Sequence, residues 1–124
     1  AVFVIDCLPN MNADLVAERA EPLVRKLREA RPDTPIILVE DRSNTNSWIH
    51  RARREYHQAN RAALVRVFDN LVSSGVKDLY YIKGEDLLGD DTEGATDGSH
   101  PNDLGFMRQA DKFEPVLRKA LGME

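Results

Sequence analysis

The sequence predicts an α/β fold in which a doubly wound parallel sheet lies between two layers of helices. Three short runs rich in aliphatic residues, VFVID, IILVE and DLYYIKG, alternate with long stretches whose apolar residues recur at helical spacing. Strands that alternate with helices form right-handed βαβ units and therefore lie parallel. Because three strands make a thin sheet with two exposed edges, we expect residues 1–124 to form one partial domain of a larger three-layer sheet.

The composition is that of one ordinary globular domain. Of the 124 residues, 42% are hydrophobic and 31% are charged. The formal net charge of −4 argues against nucleic acid as a partner. No apolar run reaches the length of a membrane span, and the single cysteine, Cys7, excludes an internal disulfide.

The first half of the chain predicts two strands and the helical region between them. Residues 2–6 form a continuous apolar run, which is typical of a strand buried on both faces. Apolar residues at helical spacing predict a helix over residues 13–31, and Pro22 is expected to divide it because proline has no N–H. Residues 36–40 predict the second buried strand.

The second half begins with the longest predicted helix, over residues 48–73, which Gly75 is expected to end. Its buried stripe is expected at Ile49, Ala52, Tyr56, Ala59, Ala63, Val67 and Leu71. The segment HRARREYH near its start is interpreted as a solvated amphipathic face. Residues 78–84 predict the third strand.

A polar loop and a capped helix complete the chain. The loop over residues 85–99 follows the third strand, so it lies at the carboxyl edge of the sheet, where parallel α/β proteins form their sites. The last helix is expected to run from just after His100 to Leu121, with Asn102 as its N-cap. Pro115 is expected to kink or interrupt it.

The sequence DGSH closes that loop and allows two interpretations. In one, the carboxylate of Asp97 accepts the Nδ1–H of His100, which fixes the tautomer and leaves Nε2 free to take a proton from a hydroxyl. In the other, Asp97 bonds to local backbone in an Asx-type turn, and His100 only stands near a helix start. Gly98 permits the turn in both cases, so the spacing alone leaves both open.

The longer stretch DGSHPNDLGF resembles the last conserved block of the SGNH hydrolases, also called the GDSL esterase and lipase family. That block reads Asp–x–x–His–Pro, then a small gap, then Gly and an aromatic residue. Asp97, His100, Pro101, Gly105 and Phe106 fit it. The resemblance implies a catalytic role for Asp97 and His100.

A second block of the same family is matched less fully. There a strand leads into a Gly–x–Asn–Asp turn whose Asn side chain contributes to the oxyanion hole. Asn10, in CLPNM, takes the Asn position, whereas Leu8 and Met11 replace the Gly and the Asp. The resemblance nevertheless implies that Asn10 stabilises an oxyanion.

The resemblance implies a flavodoxin-like SGNH fold and a serine hydrolase of carboxylic esters, with carbohydrate and lipid esters among the candidate substrates. His100 would be the general base, Asp97 would orient it, and neither a cofactor nor a metal would be required. The family's Gly–Asp–Ser nucleophile block does not occur in these residues. Because the chain also opens directly in a strand pattern without Met, we expect an upstream part to carry the serine and the chain alone to be inactive.

Two other functions remain as alternatives. One is a non-catalytic SGNH-like binding domain, and the other is a flavodoxin-like nucleotide or response module, which the lack of a Gly-rich phosphate loop disfavours. The expected partner is a small ester, with no nucleic acid and no membrane span. We also expect the apolar first strand to associate, either with the missing N-terminal part of the domain or with a second copy of the chain.

Overall fold

Strands and long helices alternate along residues 1–123, which are the residues that the computed structural model describes. In chain order the elements are β1 (Phe3–Ile5), a 3-10 turn (Leu8–Asn10), α1 (Ala13–Ala30), β2 (Ile36–Val39), α2 (Arg51–Ser73), β3 (Leu79–Ile82) and α3 (Asp103–Ala120). Each predicted strand is present but shorter than its apolar run, and the 3-10 turn falls in a segment predicted to be a loop.

The strands form one parallel sheet in the order β1-β2-β3. Val4 and Tyr80 both pair with Ile37, which places β2 at the centre. All four residues of β2 are buried, because this strand has a strand on each side and helices on each face. The predicted parallel α/β class is confirmed.

The alternation of side chains along β2 divides the core into two layers. Ile36 and Leu38 pack with α1 and α2, whereas Ile37 and Val39 pack under α3. The larger layer consists of Leu8, Val16, Val24, Ile36, Leu38, Ala63, Leu64, Val67 and Leu71. The smaller layer consists of Ile37, Val39, Ile82, Leu87 and Ala120.

The prediction that the first strand is buried on both faces is wrong for the described residues. Phe3 and Ile5 are half-buried, and Val4 is 41% exposed. The physical reason is that α3 packs against β3 at the opposite side of the sheet and does not cover β1. The outer edge of β1 has no strand partner within residues 1–123.

The expected helix breaks at the two prolines are also wrong, because α1 and α3 run without interruption through Pro22 and Pro115. A proline inside a helix leaves the carbonyl four residues earlier without its N–H donor. Here those carbonyls belong to Glu18 and Asp111, and all four residues are exposed. Water can therefore satisfy the freed carbonyls, and the helices continue.

The start of α2 differs from the sequence prediction. The helix begins at Arg51, so Trp48 and Ile49 lie in the preceding turn and are exposed. Ala52 and Tyr56, which the periodicity predicts to be buried, are exposed as well. The buried face of α2 consists of His57, Asn60, Ala63, Leu64, Val67 and Leu71. The first turns of the helix therefore border a surface pocket instead of the core.

Candidate active site

The Asp97–His100 pair combines both interpretations of the DGSH motif. One carboxylate oxygen of Asp97 accepts the backbone N–H groups of Ser99 and His100, at 2.9 and 2.8 Å, which closes an Asx-type turn. The other oxygen lies 2.6 Å from Nδ1 of His100. The turn thus holds the carboxylate in the position from which it contacts the imidazole.

The ring of His100 is oriented by this contact. An ionised carboxylate only accepts hydrogen bonds, so Nδ1 carries a proton and donates a hydrogen bond to Asp97. Nε2 is then an acceptor, on a side chain that is 79% exposed. The backbone N–H of His100, followed by its ring and the N–H of Ser99, holds the pKa of Asp97 well below its usual range. Asp97 is therefore charged wherever the protein is folded at ordinary pH.

The loop that carries this pair is fastened by residues that follow β2. Arg42 donates from Nε to the backbone carbonyl of Ser99 at 2.6 Å and from Nη2 to its hydroxyl at 2.9 Å. The N–H of Thr45 donates to the carbonyl of Gly98 at 2.9 Å. Gly98 has φ +85°, and a Cβ there would come within 2.5 Å of Nδ2 of Asn46. Because this φ is positive, any other residue at position 98 would strain the turn.

The remainder of the motif fixes the start of α3. Asn102 is the predicted N-cap, and its Oδ1 accepts the N–H of Gly105 at 3.0 Å. Its Nδ2 donates to the carbonyl of Glu93 at 2.7 Å, which fastens the long loop to the helix. A Cβ on Gly105 would lie 2.0 Å from the carbonyl oxygen of Gly94, so only glycine permits this approach. Phe106 follows at the pocket wall and is exposed.

His100 and Asn10 line the same pocket, of about 290 Å³, which we call the His100 pocket. Its other lining residues are Asp6, Pro9, Glu40, Arg42, Leu87, Pro101, Phe106 and Gln109. Asp97 does not line the pocket, and it contacts Nδ1 of His100 from outside the pocket. The three residues singled out from the sequence thus lie at one edge of the sheet, two of them facing the same cavity.

The turn that carries Asn10 is held from α2. The carbonyl of Met11 accepts the hydroxyl of Tyr56 at 2.5 Å and Nδ2 of Asn60 at 2.8 Å. Within the turn, the N–H of Asn10 donates to the carbonyl of Cys7 at 3.1 Å. These two hydrogen bonds from α2 fasten the backbone next to Asn10.

Sequence reasoning missed a second Asp–His pair. Nδ1 of His57 lies 2.6 Å from Oδ2 of Asp41, within hydrogen-bond distance. The Asp41 side chain is fully buried and that of His57 is 10% exposed, within the segment predicted to be a solvated face. The signal that could have found Asp41 is its place two residues after the end of β2, at the carboxyl edge. No local spacing links it to His57.

Glu40, also missed, is a buried carboxylate in the wall of the His100 pocket. It accepts the hydroxyl of Tyr81 and the backbone N–H of Gly84, both at 2.8 Å. Burial, reinforced by this hydrogen bond to Glu40, raises the pKa of Tyr81. Asp6 lines the same pocket, and burial raises its pKa. Two carboxyl groups, those of Glu40 and Asp6, therefore line the pocket together with Arg42 and His100.

None of the serines among residues 1–123 lines the His100 pocket, and the hydroxyls of two of them are bonded to arginine side chains. The hydroxyl of Ser99 accepts from Arg42, and that of Ser43 accepts from Nη2 of Arg61 at 2.7 Å.

In the part of the chain that the structure describes, no group of His, Cys, Asp and Glu forms a candidate metal site. None of the described helices combines the length and the apolar character needed to cross a membrane.

The chain matches one family model and one solved structure. Residues 1–118 match the model of the GDSL-like Lipase/Acylhydrolase family. A 1.40 Å crystal structure from Bacteroides ovatus ATCC 8483, of a protein designated a GDSL-like lipase, superposes with a TM-score of 0.93 at 36% identity. The match covers 99% of this chain and 36% of that one. No curated protein matches the sequence. The chain belongs to the GDSL-like lipase/acylhydrolase family.

Proposed function

We propose that this chain supplies the acid–base and oxyanion half of a serine esterase site. The observation that carries the proposal is His100, whose Nδ1 contacts Asp97 at 2.6 Å and whose exposed ring lines a pocket together with Asn10. Family membership supports hydrolase chemistry. The reaction would be hydrolysis of a carboxylic ester through an acyl-enzyme.

In the first half of the reaction, a serine Oγ attacks the ester carbonyl carbon while its proton passes to Nε2 of His100. The carbonyl oxygen becomes an oxyanion, and the Asn10 amide donates a hydrogen bond to it. Such a donor is typically worth about 3–4 kcal/mol. When the intermediate collapses, the C–O bond to the alcohol breaks, and His100 returns the proton to the leaving oxygen.

In the second half, water takes the place of the alcohol. His100 removes a proton from the water as the oxygen attacks the acyl carbon, and then returns it to the serine Oγ as the acid leaves. Asp97 stays ionised throughout and stabilises the imidazolium that forms in each half. The low pKa of Asp97 supports this role, because the carboxylate does not compete for the proton.

The serine, on this proposal, belongs to a segment outside residues 1–124. The hydroxyls of Ser43 and Ser99 are each engaged by a guanidinium, and no serine of residues 1–123 shares the pocket with His100. The outer edge of β1 is where we propose that this segment joins the sheet. Phe3 donates its N–H to Pro35, so the alternation leaves the N–H of Val4 at the open edge. Slow hydrogen exchange at Val4 in the full-length protein would support this, and fast exchange would contradict it.

The full-length protein should hydrolyse p-nitrophenyl acetate with a burst of p-nitrophenol, followed by a slower steady rate as the acyl-enzyme turns over. The polypeptide of residues 1–124 should hydrolyse this ester no faster than an equal concentration of imidazole does. If the full-length protein also hydrolyses a panel of esters no faster than imidazole does, the esterase proposal is wrong. A domain that binds without catalysis would then be the better description of the same pocket.

A further inference from the structure

The four residues that carry the Asp97–His100 pair, residues 97–100, lie in neither a helix nor a strand. Both side chains of the pair are exposed, so packing contributes little to holding them. A general base has to lie within hydrogen-bond reach of the proton that it removes, and a displacement of about 1 Å can cost about 10²-fold in rate. The position of His100 therefore depends on hydrogen bonds that reach these residues from elsewhere in the chain.

Those hydrogen bonds come from the segment that follows β2. Among the described residues, the backbone N–H of Thr45 donates to the carbonyl of Gly98, and Arg42 makes two contacts with Ser99. Nε of Arg42 donates to the carbonyl oxygen of Ser99 at 2.6 Å, and Nη2 donates to its hydroxyl oxygen at 2.9 Å. Both contacts use one edge of the guanidinium, whose planar fork fits two acceptors at once.

The carbonyl of Ser99 belongs to the peptide group that precedes His100, and the opposite side of that group is held as well. The N–H of His100 donates to Oδ1 of Asp97 at 2.8 Å. In a trans peptide the C=O and the N–H point in opposite directions within one plane, so Arg42 and Asp97 hold this group from two sides. The plane ends at Cα of His100, and the ring is oriented by the contact of Nδ1 with Oδ2 of Asp97.

The side chain of Arg42 is itself enclosed by the protein. It is 13% exposed, and it lines the His100 pocket together with the carboxyl groups of Asp6 and Glu40. Burial raises the pKa of Asp6, and the charge of Arg42 opposes that rise, which reflects an attraction between the two groups. The guanidinium is therefore held by its surroundings as well as by its contacts with Ser99.

We propose that Arg42 is the positioning residue of the general base. By holding the peptide group between Ser99 and His100, it keeps the imidazole directed into the His100 pocket. The inference rests on the esterase function proposed above and adds a residue that acts on the reaction through His100. Arg42 does not transfer a proton, because its guanidinium stays charged. Its contribution therefore belongs to kcat and not to substrate binding.

Substitution of Arg42 in the full-length protein tests this. Arg42→Ala should lower kcat for p-nitrophenyl acetate by about 10- to 100-fold and change KM by less than about threefold. Arg42→Lys should recover only a small part of the loss, because an ammonium group lacks the fork. Arg25→Ala, the control, removes an arginine that donates to the hydroxyl of Ser74 away from the pocket, and it should keep the wild-type kcat. A change confined to KM, or wild-type kcat in Arg42→Lys, would overturn the proposal.

A double-mutant cycle tests whether Arg42 acts through Ser99. Ser99→Ala removes the hydroxyl contact and keeps the carbonyl contact, so kcat should fall by less than in Arg42→Ala. Adding Ser99→Ala to Arg42→Ala should have no further effect, because the hydroxyl has already lost its donor. Losses of kcat that multiply in the double variant would show that the two residues act independently and would contradict the proposal.

Hydrogen exchange at the backbone N–H of His100, followed by NMR in the full-length protein, requires no turnover. Exchange should become about tenfold faster or more in Arg42→Ala and stay unchanged in Arg25→Ala. Unchanged exchange in Arg42→Ala would contradict the hold of Arg42 on this peptide group. Faster exchange in a protein that hydrolyses no ester would retain that hold and reject the esterase function. Wild-type kcat in a folded Arg42→Ala would retain the esterase function and overturn the positioning role.

Discussion

Two Asp–His pairs lie at the carboxyl edge of the same sheet, with the same 2.6 Å contact and opposite exposure. The side chains of His100 and Asp97 are 79% and 55% exposed, whereas those of His57 and Asp41 are 10% and 0% exposed. The first pair stands on a loop turn and the second joins a strand end to a helix. A contact distance alone therefore does not distinguish an exposed Asp–His pair from a buried one. Access of Nε2 to a reacting group is the difference that matters.

The largest expected effect is that of His100→Ala on catalysis. On the proposed mechanism His100 is the general base, so its loss should lower kcat for p-nitrophenyl acetate by about 10⁴-fold in the full-length protein. His50→Ala, at the exposed start of α2, is the matched control and should have the wild-type kcat. A decrease of less than about tenfold in His100→Ala would remove the exposed pair from the mechanism.

The buried pair should instead determine stability. His57→Ala leaves the buried carboxyl group of Asp41 without its hydrogen-bond partner, so the free energy of unfolding should fall by about 1–3 kcal/mol in urea titration. The counterpart His100→Ala should leave the urea midpoint nearly unchanged, because that pair is surrounded by solvent. Equal destabilisation by the two substitutions would show that exposure is not what separates the pairs.

Asn10 tests whether the exposed pair acts with an oxyanion donor. Asn10→Ala should lower kcat by about 10²–10³-fold and change KM little, because the hydrogen bond forms chiefly in the transition state. Asn70→Ala, at an exposed site near the end of α2, provides the control. A change confined to KM would assign Asn10 to substrate binding and not to the oxyanion.

The smallest effect concerns the pH response of Asp97, whose pKa is lowered in the folded protein. A lowered pKa means that the carboxylate contributes its full stabilisation above the unfolded value of about 3.9, and loses it only as the pH falls through the folded value. The Asp97 carboxyl should therefore show no protonation step of its own between about pH 8 and pH 5 when its Cγ resonance is followed by NMR. His100→Ala should raise the midpoint only partway, because the backbone N–H groups still donate. A wild-type midpoint at or above about 4 would contradict the geometry.

The exposed pair could be predicted from the sequence because it is local. Asp97 and His100 are three residues apart in a loop whose place after the third strand follows from the alternation of elements. The buried pair is separated by 16 residues and depends on how α2 is rotated against the sheet. Its partner lies in a segment whose charges predict a solvated face. Periodicity finds the apolar face of a helix, but it does not identify a polar residue that is buried by a tertiary contact.

In the fold, too, the features set by local sequence could be predicted, and those set by packing between distant elements could not. The strand β2 and the N-cap Asn102 follow from composition and local chemistry. The helices continue through Pro22 and Pro115 because the freed carbonyls face solvent. Which side of a helix faces solvent is set by tertiary packing, so the sequence alone did not predict this. The exposure of Val4 depends on where α3 lies. These features arise from packing between distant elements.

The most direct test of the central claim is covalent labelling of the full-length protein with a p-nitrophenyl phosphonate, followed by peptide mass spectrometry. We predict that one serine outside residues 1–124 is phosphonylated and that His100→Ala slows the labelling by about the same factor as kcat. A label on Ser43, Ser47 or Ser99, or labelling at the wild-type rate in His100→Ala, would contradict the claim that the exposed Asp97–His100 pair activates a serine from another segment.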